Sequence, residues 1–209
     1  MKTINPSYEI MTLINKDTIL KSIEVTGRVC YKSEDKITED SASKFVTMLI
    51  KRGHEAMIEH SSFTVKFICD RGVSHEIVRH RIASFAQEST RYVNYSSGKF
   101  GNEINVIKPL FYEEGSLQYS LWETSCQYAE EYYMRLIKEG STPQEARSVL
   151  PNSLKTEIVV TMNLREWRHF FKLRTAKVAH PQMREITIPL LNELKKTLPE
   201  IFGDIEVVD

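Results

Sequence analysis

The residues best suited to chemistry lie in one stretch, residues 79–92. It reads RHRIASFAQESTRY and concentrates cationic, hydroxyl and amide side chains in fourteen positions. Phosphates and carboxylates are held by forked arginine donors and by short hydroxyl donors, so the stretch predicts a socket for an anionic ligand. The alternative is a solvated, arginine-rich turn at the surface, which is a common role for such a composition.

The rest of the chain does not share this positive charge. Of its 209 residues, 28 are Lys or Arg and 28 are Asp or Glu, and 41% are hydrophobic. A chain without net charge is a poor general binder of nucleic acid, whose affinity depends on many phosphate contacts, so we expect no nucleic acid as a partner. The length and the apolar fraction favour a single catalytic domain over residues 1–209.

The cysteines and the hydrophobic pattern limit other classes of protein. Cys30, Cys69 and Cys126 are widely spaced and form no CxxC pair, which argues against a disulfide framework and a zinc site. No apolar run approaches the ~18 residues that a membrane span requires, and the first ten residues lack the apolar core of a signal peptide. We therefore expect a cytoplasmic protein with no membrane contact and no bound metal.

Hydrophobic periodicity indicates the elements that position these side chains. Alternation and β-branched residues predict strands at residues 7–14, 60–69, 105–107 and 155–162. Apolar residues at helical spacing predict helices at residues 17–31, 39–52, 116–139 and 182–198, with others beginning at Ser74, Thr142 and Asn163. The mixture favours an α/β or α+β fold, with a sheet flanked by helices. No GxGxxG or GxxxxGK[ST] sequence is present, which disfavours the usual dinucleotide and P-loop sites.

The anion-binding stretch is expected to span a helix end and a strand. The helix beginning at Ser74 would carry residues 79–81 on its last turns, where the helix dipole favours cations. The segment after it would be extended. Ser89 and Arg91, two residues apart, would then project from the same face of a strand and could touch one ligand.

Another arginine is expected at a buried position. In the helix after Asn163, Arg174 continues the helical spacing of Trp167, Phe170 and Phe171, so it belongs to their aromatic stripe. A guanidinium there needs an anionic partner, because an unpaired buried charge is very costly. The alternative is that its long stem reaches out to water.

No nucleophile stands out in the sequence. There is no GxSxG motif, and no cysteine lies in an obviously electropositive setting. A histidine at the start of a strand, such as His60, is more often structural than catalytic. The available side chains can instead bind phosphorylated ligands and stabilise negative charge that develops in a ring. A bound cofactor would then carry out the bond-making and redox steps.

The same residues resemble a known family. The RHR triplet, the serine that follows after seven further residues and the subsequent x-Arg-Tyr are similar to the signature of the flavin-dependent thymidylate synthases. The similarity extends in order through Glu59-His60, ARSVLP at 146–151, NLREW at 163–167, His169, LR at 173–174 and HPQMREI at 180–186. It covers nearly the whole chain, from about residue 25 to residue 190.

The resemblance implies a fold and an activity. The expected protein has the mixed α/β fold of this family and is a homotetramer that binds FAD, with active sites at subunit interfaces. It would methylate dUMP to dTMP, with 5,10-methylenetetrahydrofolate as carbon donor and NADPH as reductant of the flavin. The family dispenses with a cysteine nucleophile, in agreement with the sequence.

The resemblance also implies roles for individual residues. FAD would be bound by Arg79, His80, Arg81, Gln87, Asn163, Arg165 and His169, with Ser62 as a weaker contact. dUMP would be bound by Glu76, Arg79, Gln87, Ser89, Arg91, Arg147 and Arg174. The catalytic residues would be Arg174, which favours the ionised form of the uracil, and His60, near the flavin and the folate.

The sequence departs from the stricter family pattern within and near the signature. Ala86 and Gln87 stand where Asn-Glu is often found, and Glu76 stands where glutamine is common. Since glutamine can still hydrogen-bond a base or a sugar, we expect altered contacts without loss of activity, with either Gln87 or Glu88 facing the ligand. The alternatives are a related flavin enzyme that modifies another pyrimidine and, in a different class, a non-enzymatic RNA-binding module that uses the same cationic and aromatic residues.

Overall fold

The chain is described by a computed structural model that covers residues 1–98 and 101–207. The strands are β1 (Lys2–Ile4), β2 (Ser7–Ile10), β3 (Ser62–Asp70), β4 (Ala83–Gln87), β5 (Asn105–Ile107) and β6 (Lys155–Asn163). The helices are α1 (Lys16–Val29), α2 (Ser41–Lys51), α3 (Arg71–Ile77), α4 (Leu117–Lys138), α5 (Pro143–Ala146), α6 (Leu164–Arg174), α7 (Pro181–Thr197) and α8 (Pro199–Phe202). Short 3₁₀ turns cover Glu34–Lys36, Glu55–His60 and Arg147–Val149.

Within the described residues, the strands form two sheets. β1 and β5 pair in parallel, with Lys2 opposite Asn105 and Ile4 opposite Ile107. The other four strands are ordered β2-β3-β6-β4. Along the two long strands, β3 and β6, deeply buried side chains alternate with less buried ones, as expected for pleated strands with one face in a core. Helices and sheets together confirm the predicted mixed α/β class.

The chain divides into two compact units. The first unit comprises Met1–Ser7, Phe67–Arg79 and Ala86–Val159. The second unit comprises Tyr8–Lys66, His80–Phe85 and Val160–Asp209. A single catalytic domain over residues 1–209 stays a prediction. Among the described helices, none combines the length and the hydropathy that a membrane crossing needs.

The core of the first unit packs against one side of α4. Its buried members are Tyr95, Ile104, Val106, Cys126, Tyr133, Ala146 and Leu154. The rings of Tyr95 and Tyr133 meet edge to face, with centroids 5.6 Å apart. Another stripe of α4 is exposed and consists of Leu117, Leu121, Tyr128 and Tyr132. The packing within this unit therefore leaves large apolar side chains of α4 uncovered.

The core of the second unit is built on the aromatic side chains of α6. Trp167 stacks on Phe63 with ring centroids 4.8 Å apart, and its indole Nε1 donates to the Phe63 carbonyl at 3.1 Å. Phe171 meets Phe202 of α8 edge to face. These contacts fix the rotation of α6, and with it the direction of its polar face.

Arg168 of α6 is buried, with 2% of its surface exposed. Its Nε donates to Glu55, and its two Nη atoms donate to the Asp204 carboxylate at 2.6 and 2.8 Å. Nη1 also contacts the carbonyl of Ile201. A buried guanidinium is tolerated when its charge and its donors are matched in this way. The ion pair between Arg168 and Asp204 therefore holds the segment that follows α8 against α6.

The helix predicted to begin at Ser74 is shorter and starts earlier. Asp70 caps it, because its Oδ1 accepts the N–H of Val73 at 2.7 Å, and α3 therefore begins at Arg71. It ends at Ile77. The prediction that residues 79–81 form its last turns is wrong, since they follow the helix.

Ser89 and Arg91 lie in a turn. β4 ends at Gln87, and the N–H groups of Tyr92 and Val93 both donate to the Ser89 carbonyl. The Ser89 hydroxyl accepts the Arg91 N–H at 3.3 Å. Such a side chain offers the backbone a local partner in place of a neighbouring strand. The prediction that Ser89 and Arg91 share a strand face is wrong.

The other predicted elements are confirmed with shifted ends. α1 begins at Lys16, because Asn15 caps it by accepting the N–H of Thr18. β2 stops at Ile10, four residues before the predicted end. β1 is too short for alternation to reveal it from the sequence.

Candidate active site

The junction of β6 and α6 positions the first group of candidate residues. The side chain of Asn163, the last residue of β6, accepts the N–H of Glu166 at 2.8 Å. This cap starts the helix directly after the strand, as predicted. It also places Arg165 and His169 one turn apart on the same face.

A cavity of about 360 Å³ lies at this end of α6. It is lined by Glu55, Glu59, Ile82, Asn163, Arg165, Glu166, His169 and Lys172. Three of the residues expected to bind FAD therefore share one cavity. Two cationic side chains and the N-terminus of a helix are groups that bind phosphate, so the donor set fits a dinucleotide.

Acidic residues of the preceding 3₁₀ turn contact the same cavity. Glu59 Oε1 lies 2.5 Å from Arg165 Nη1, and Glu55 Oε2 lies 4.0 Å from Arg165 Nε. The side chains of Arg165 and Glu59 are 54% and 41% exposed, so their attraction is screened by water. An anionic ligand in the cavity would compete with Glu59 for Arg165.

Three polar side chains beside the cavity form a chain of hydrogen bonds. His80 is buried, and its Nδ1 lies 2.8 Å from Glu166 Oε1. Arg174 Nε donates to His80 Nε2 at 3.2 Å. Because arginine only donates hydrogen bonds, Nε2 must accept, so the ring proton is on Nδ1 and is donated to Glu166. Arg174, which was predicted to be buried, is half-buried, and its guanidinium is hydrogen-bonded to a histidine.

The surroundings keep His80 neutral. Burial lowers the pKa of His80 below its ordinary value of 6.5, and Arg174 and His169 act in the same direction, against the hydrogen bond and the charge of Glu166. The ring of Phe170 meets the imidazole edge to face. A neutral imidazole offers one donor and one acceptor, which match its two neighbours.

The ligand atoms of His80, Glu166 and His169 lie within 4.8 Å of one another. Metals bind to clusters of this composition, but both ring nitrogens of His80 already have partners. One of these partners is the cationic Arg174, which would repel a metal ion. We therefore describe the group as a hydrogen-bond chain.

The other candidate residues of the second unit lie at the surface. His60 ends the 3₁₀ turn, Ser62 begins β3, and Arg81 follows His80; all three are exposed. His169 is also exposed, with its ring 5.7 Å from that of His80.

In the first unit, Gln87 is held by two hydroxyl groups. Its Nε2 donates to Ser74 Oγ at 2.9 Å and to Thr156 Oγ1 at 3.2 Å. These bonds use both N–H donors of the amide. The side-chain carbonyl of Gln87 is therefore the group that a ligand would contact.

Glu88 has structural partners. Its carboxylate accepts from Lys155 Nζ at 2.9 Å and from the Tyr95 hydroxyl at 3.2 Å. Its backbone N–H donates to the Glu157 carbonyl. These contacts favour Gln87 over Glu88 as the side chain that faces a ligand.

The turn after β4 brings further candidates of the first unit together. Arg147 Nη1 lies 3.4 Å from the hydroxyl of Thr90, which stands between Ser89 and Arg91. Arg91 is exposed, and its guanidinium carbon lies 5.4 Å from the ring centroid of Tyr92. Ser89, Arg91 and Arg147 thus surround one turn, although not in the strand geometry expected from the sequence.

Glu76 and Arg79 lie at the end of α3. Glu76 is in the last turn and half-buried, and its carbonyl accepts the N–H of Arg79 at 3.3 Å. The Arg79 side chain is exposed.

Comparison with known proteins decides the family. Residues 12–200 match the family model described as thymidylate synthase complementing protein. The chain belongs to this family. The flavin-dependent thymidylate synthase of Geobacter sulfurreducens is 33% identical over 190 residues, which are 88% of this chain and 80% of that protein. The flavin-dependent thymidylate synthase of Pyrococcus abyssi is 36% identical over 166 residues, which are 79% of this chain and 67% of that protein.

A solved structure shares the fold of this member of the thymidylate synthase complementing protein family. The UMP/dUMP methylase PolB from Streptomyces cacaoi, solved with 5-Br dUMP bound, superimposes with a TM-score of 0.79. The match covers 97% of this chain and 96% of PolB, at 23% sequence identity. At that identity the likeness establishes the fold.

Some residues of the site are not evident from the sequence of this thymidylate synthase complementing protein family member. Glu166 belongs to the NLREW segment, but the only role that the sequence indicates for it is that of an N3 residue in a helix, which predicts a capping contact. Its carboxylate instead contacts His80, 86 residues away. Thr156, which holds Gln87, gives no signal beyond its place in a strand. For Lys172, the only indication in the sequence is its position two helical turns after Arg165, on the same face of the helix.

Proposed function

We propose that this protein is a flavin-dependent thymidylate synthase that methylates dUMP to dTMP. One observation carries the proposal: Asn163, Arg165 and His169, which the resemblance assigns to FAD, line a single cavity at the start of α6. The relatives named as flavin-dependent thymidylate synthases support the same activity.

The second unit supplies most of the proposed FAD contacts. Arg165 and Lys172 offer cations to the phosphates, and Asn163 stands where the helix begins. Since the His80 side chain already has two partners, its contact with FAD would be made from its backbone. Arg79 of the first unit, Arg81 and Ser62 are exposed and are further proposed contacts, and Gln87 is another. When bound, FAD supplies the reducing equivalents for the methyl group.

The proposed dUMP contacts include three side chains around one turn. Ser89, Arg91 and Arg147 offer the hydroxyl and guanidinium donors that a phosphate requires. The carbonyl of Gln87 suits an N–H of the base or a sugar hydroxyl. Glu76, Arg79 and Arg174 complete the proposed set. Because the resemblance implies active sites at subunit interfaces, the residues around one dUMP need not come from one subunit.

Arg174 is the proposed catalytic residue at the uracil. A cation beside the ring stabilises the negative charge that appears when N3 loses its proton. The ionised ring has more electron density at C5, which can then accept the one-carbon unit. His60 is proposed to lie near the flavin and the folate.

The two buried cysteines, Cys69 and Cys126, agree with a mechanism that has no thiolate nucleophile. Burial raises the pKa of Cys69 above its ordinary value, and burial raises that of Cys126 to about 11. Buried thiols of this kind are protonated at neutral pH and therefore unreactive.

The remaining parts of the proposal concern partners and assembly. The carbon donor is 5,10-methylenetetrahydrofolate, the reductant is NADPH, and the enzyme acts as a cytoplasmic homotetramer. The exposed stripe of Leu117, Leu121, Tyr128 and Tyr132 on α4 supports an oligomer, because large apolar patches on a helix are usually covered by a partner.

The test is spectroscopic. Purified protein, supplied with FAD, is reduced with NADPH, and reoxidation is followed at the flavin absorbance with and without dUMP and methylenetetrahydrofolate. We expect reoxidation that depends on both, and dTMP as the product. A protein that refuses FAD would contradict the proposal, and modification of UMP or dCMP in place of dUMP would identify another pyrimidine as substrate.

A further inference from the structure

A buried carboxylate among the residues that line the cavity has no role in the mechanism above. Glu166 lies in the first turn of α6 with 9% of its surface exposed. Burying a carboxylate is costly unless it is hydrogen-bonded. Its partner is the Nδ1 of His80, 2.8 Å away, and the opposite side of the same ring contacts Arg174.

We propose that Glu166 is a positioning residue for Arg174 and acts through the tautomer of His80. The inference rests on the proposed function, in which the Arg174 guanidinium contacts the uracil. Glu166 touches no reacting atom. It selects the ring form that lets His80 hold Arg174.

The argument depends on which nitrogen of His80 carries the proton. A neutral histidine in water prefers the proton on Nε2. In that form Nε2–H would face the Arg174 Nε–H, and two donors cannot form a hydrogen bond. A carboxylate at Nδ1 stabilises the other form, in which Nε2 is an acceptor. The contact then fixes the rotation of the guanidinium plane at Nε.

Anchoring Nε matters because arginine has a long and flexible stem. A guanidinium that contacts a planar ring works best when its orientation is set before the ligand arrives. Phe170, one turn before Arg174, packs against the His80 ring with centroids 5.0 Å apart. The imidazole is therefore held on its nitrogen-bearing edges and against an aromatic ring.

Protonation of His80 would break the anchor. An imidazolium carries N–H on both nitrogens and would repel Arg174. The charged and titratable groups that face His80 are Glu166, His169 and Arg174, all on α6. Glu166 raises the pKa of His80, while burial, Arg174 and His169 lower it. Replacing Glu166 by a neutral acceptor should therefore move the loss of activity in acid to lower pH.

Three variants test the inference. Glu166→Gln keeps an acceptor of the same shape, and Glu166→Leu removes the acceptor at similar volume. Glu24→Leu is the matched control, because Glu24 is 1% exposed and pairs with Arg28 Nη2 at 2.8 Å, within α1. It reports the cost of removing a buried carboxylate from its arginine partner at another place in the second unit.

The first measurement needs no substrate. Nitrogen NMR of the histidine-labelled full-length protein, with the His80 signal assigned from a His80→Gln sample, identifies the ring tautomer. We expect the Nδ1–H form in the parent, in Glu166→Gln and in Glu24→Leu, and the Nε2–H form in Glu166→Leu. An Nε2–H ring in the parent would overturn the inference.

The second measurement is steady-state turnover of dUMP across pH. We expect Glu166→Leu to lower kcat about tenfold at neutral pH, with a smaller effect on the KM for dUMP. Glu166→Gln should retain most of kcat and shift its acid limb to lower pH. The Glu24→Leu control should lower thermal stability without moving the acid limb.

The two measurements separate the possible failures. If the parent makes dTMP and Glu166→Leu does so with the parent kcat and pH profile, only the inference is wrong. If Glu166→Leu and Glu24→Leu lower kcat equally and both keep the pH profile of the parent, the loss of activity comes from reduced stability. The inference is then also wrong. If the tautomers follow Glu166 but the parent makes no dTMP, the proposed function is wrong and the inference falls with it.

Discussion

Glu59 should weaken FAD binding, and its replacement should strengthen it. Glu59 pairs with Arg165 at 2.5 Å on the wall of the cavity at the start of α6. The phosphates of FAD would need the same guanidinium. In Glu59→Gln, the FAD phosphates no longer compete with a carboxylate for Arg165. The cavity also loses one negative charge that repels an anionic ligand.

The expected gain is modest. The Arg165 and Glu59 side chains are 54% and 41% exposed, and exposed ion pairs contribute about 0.2–1 kcal/mol. A change of 1 kcal/mol corresponds to about fivefold in affinity, so the Kd for FAD should fall by up to about fivefold. The gain should shrink at high salt, because ions screen exposed charges.

The assay is a fluorescence titration of FAD at low and high salt. Glu9→Gln is the matched control, because Glu9 also forms an exposed ion pair at 2.5 Å, with Lys66, and is not among the residues that line the cavity. It removes the same net charge and should leave the Kd close to that of the parent. If Glu59→Gln binds FAD no more tightly than Glu9→Gln at low salt, this cavity is not the site of the FAD phosphates.

Further predictions concern catalysis, stability and substrate binding. Arg174→Ala should lower kcat by about 100-fold while the flavin spectrum of the loaded protein is unchanged, and parent turnover in this variant would refute the assignment to uracil. Asp204→Asn should lower the free energy of unfolding at neutral pH by about 1 kcal/mol. The hydrogen bonds from Arg168 lower the pKa of Asp204 below its ordinary value of 3.8. The stabilisation is therefore fully present above pH 3.8 and is lost as the pH falls through the lowered pKa. If denaturant titrations still show a difference between Asp204→Asn and the parent in strong acid, this prediction is wrong. Gln87→Leu should raise the KM for dUMP more than it lowers kcat, and an unchanged KM would remove Gln87 from the substrate site.

Local signals in the sequence predict much of the fold. The alternation at residues 60–69 corresponds to β3, and the β-branched run after residue 155 corresponds to β6. Asn163 is recognisable as a cap because it separates a strand pattern from a helical one. The structure confirms each of these features, since each depends on residues close in sequence.

The end of α3 shows where local signals mislead. Val78 and Ile82 continue the helical spacing, but they are 39% and 68% exposed, so no core contact extends the helix past Ile77. Ser74 resembles a cap in the sequence, yet its hydroxyl donates to the Arg71 carbonyl within the helix. The earlier cap, Asp70, prevails.

The candidate site depends on contacts that a single sequence does not encode locally. His80 meets Glu166 across 86 residues and Arg174 across 94 residues. Gln87 meets Thr156 across 69 residues. The family resemblance nevertheless assigns His80, Gln87 and Arg174 to the site, because it depends on residue types at fixed positions. It includes Glu166 in the NLREW segment at 163–167 but implies no role for that residue.

The central claim is that this protein makes dTMP from dUMP with a bound flavin. The most direct measurement is mass spectrometry of the nucleotides after the FAD-loaded protein has been incubated with dUMP, NADPH and methylenetetrahydrofolate carrying an isotopic label in its methylene carbon. We predict labelled dTMP that forms only when all components are present. A protein that binds FAD but forms no dTMP, or dTMP that lacks the label, would contradict the claim.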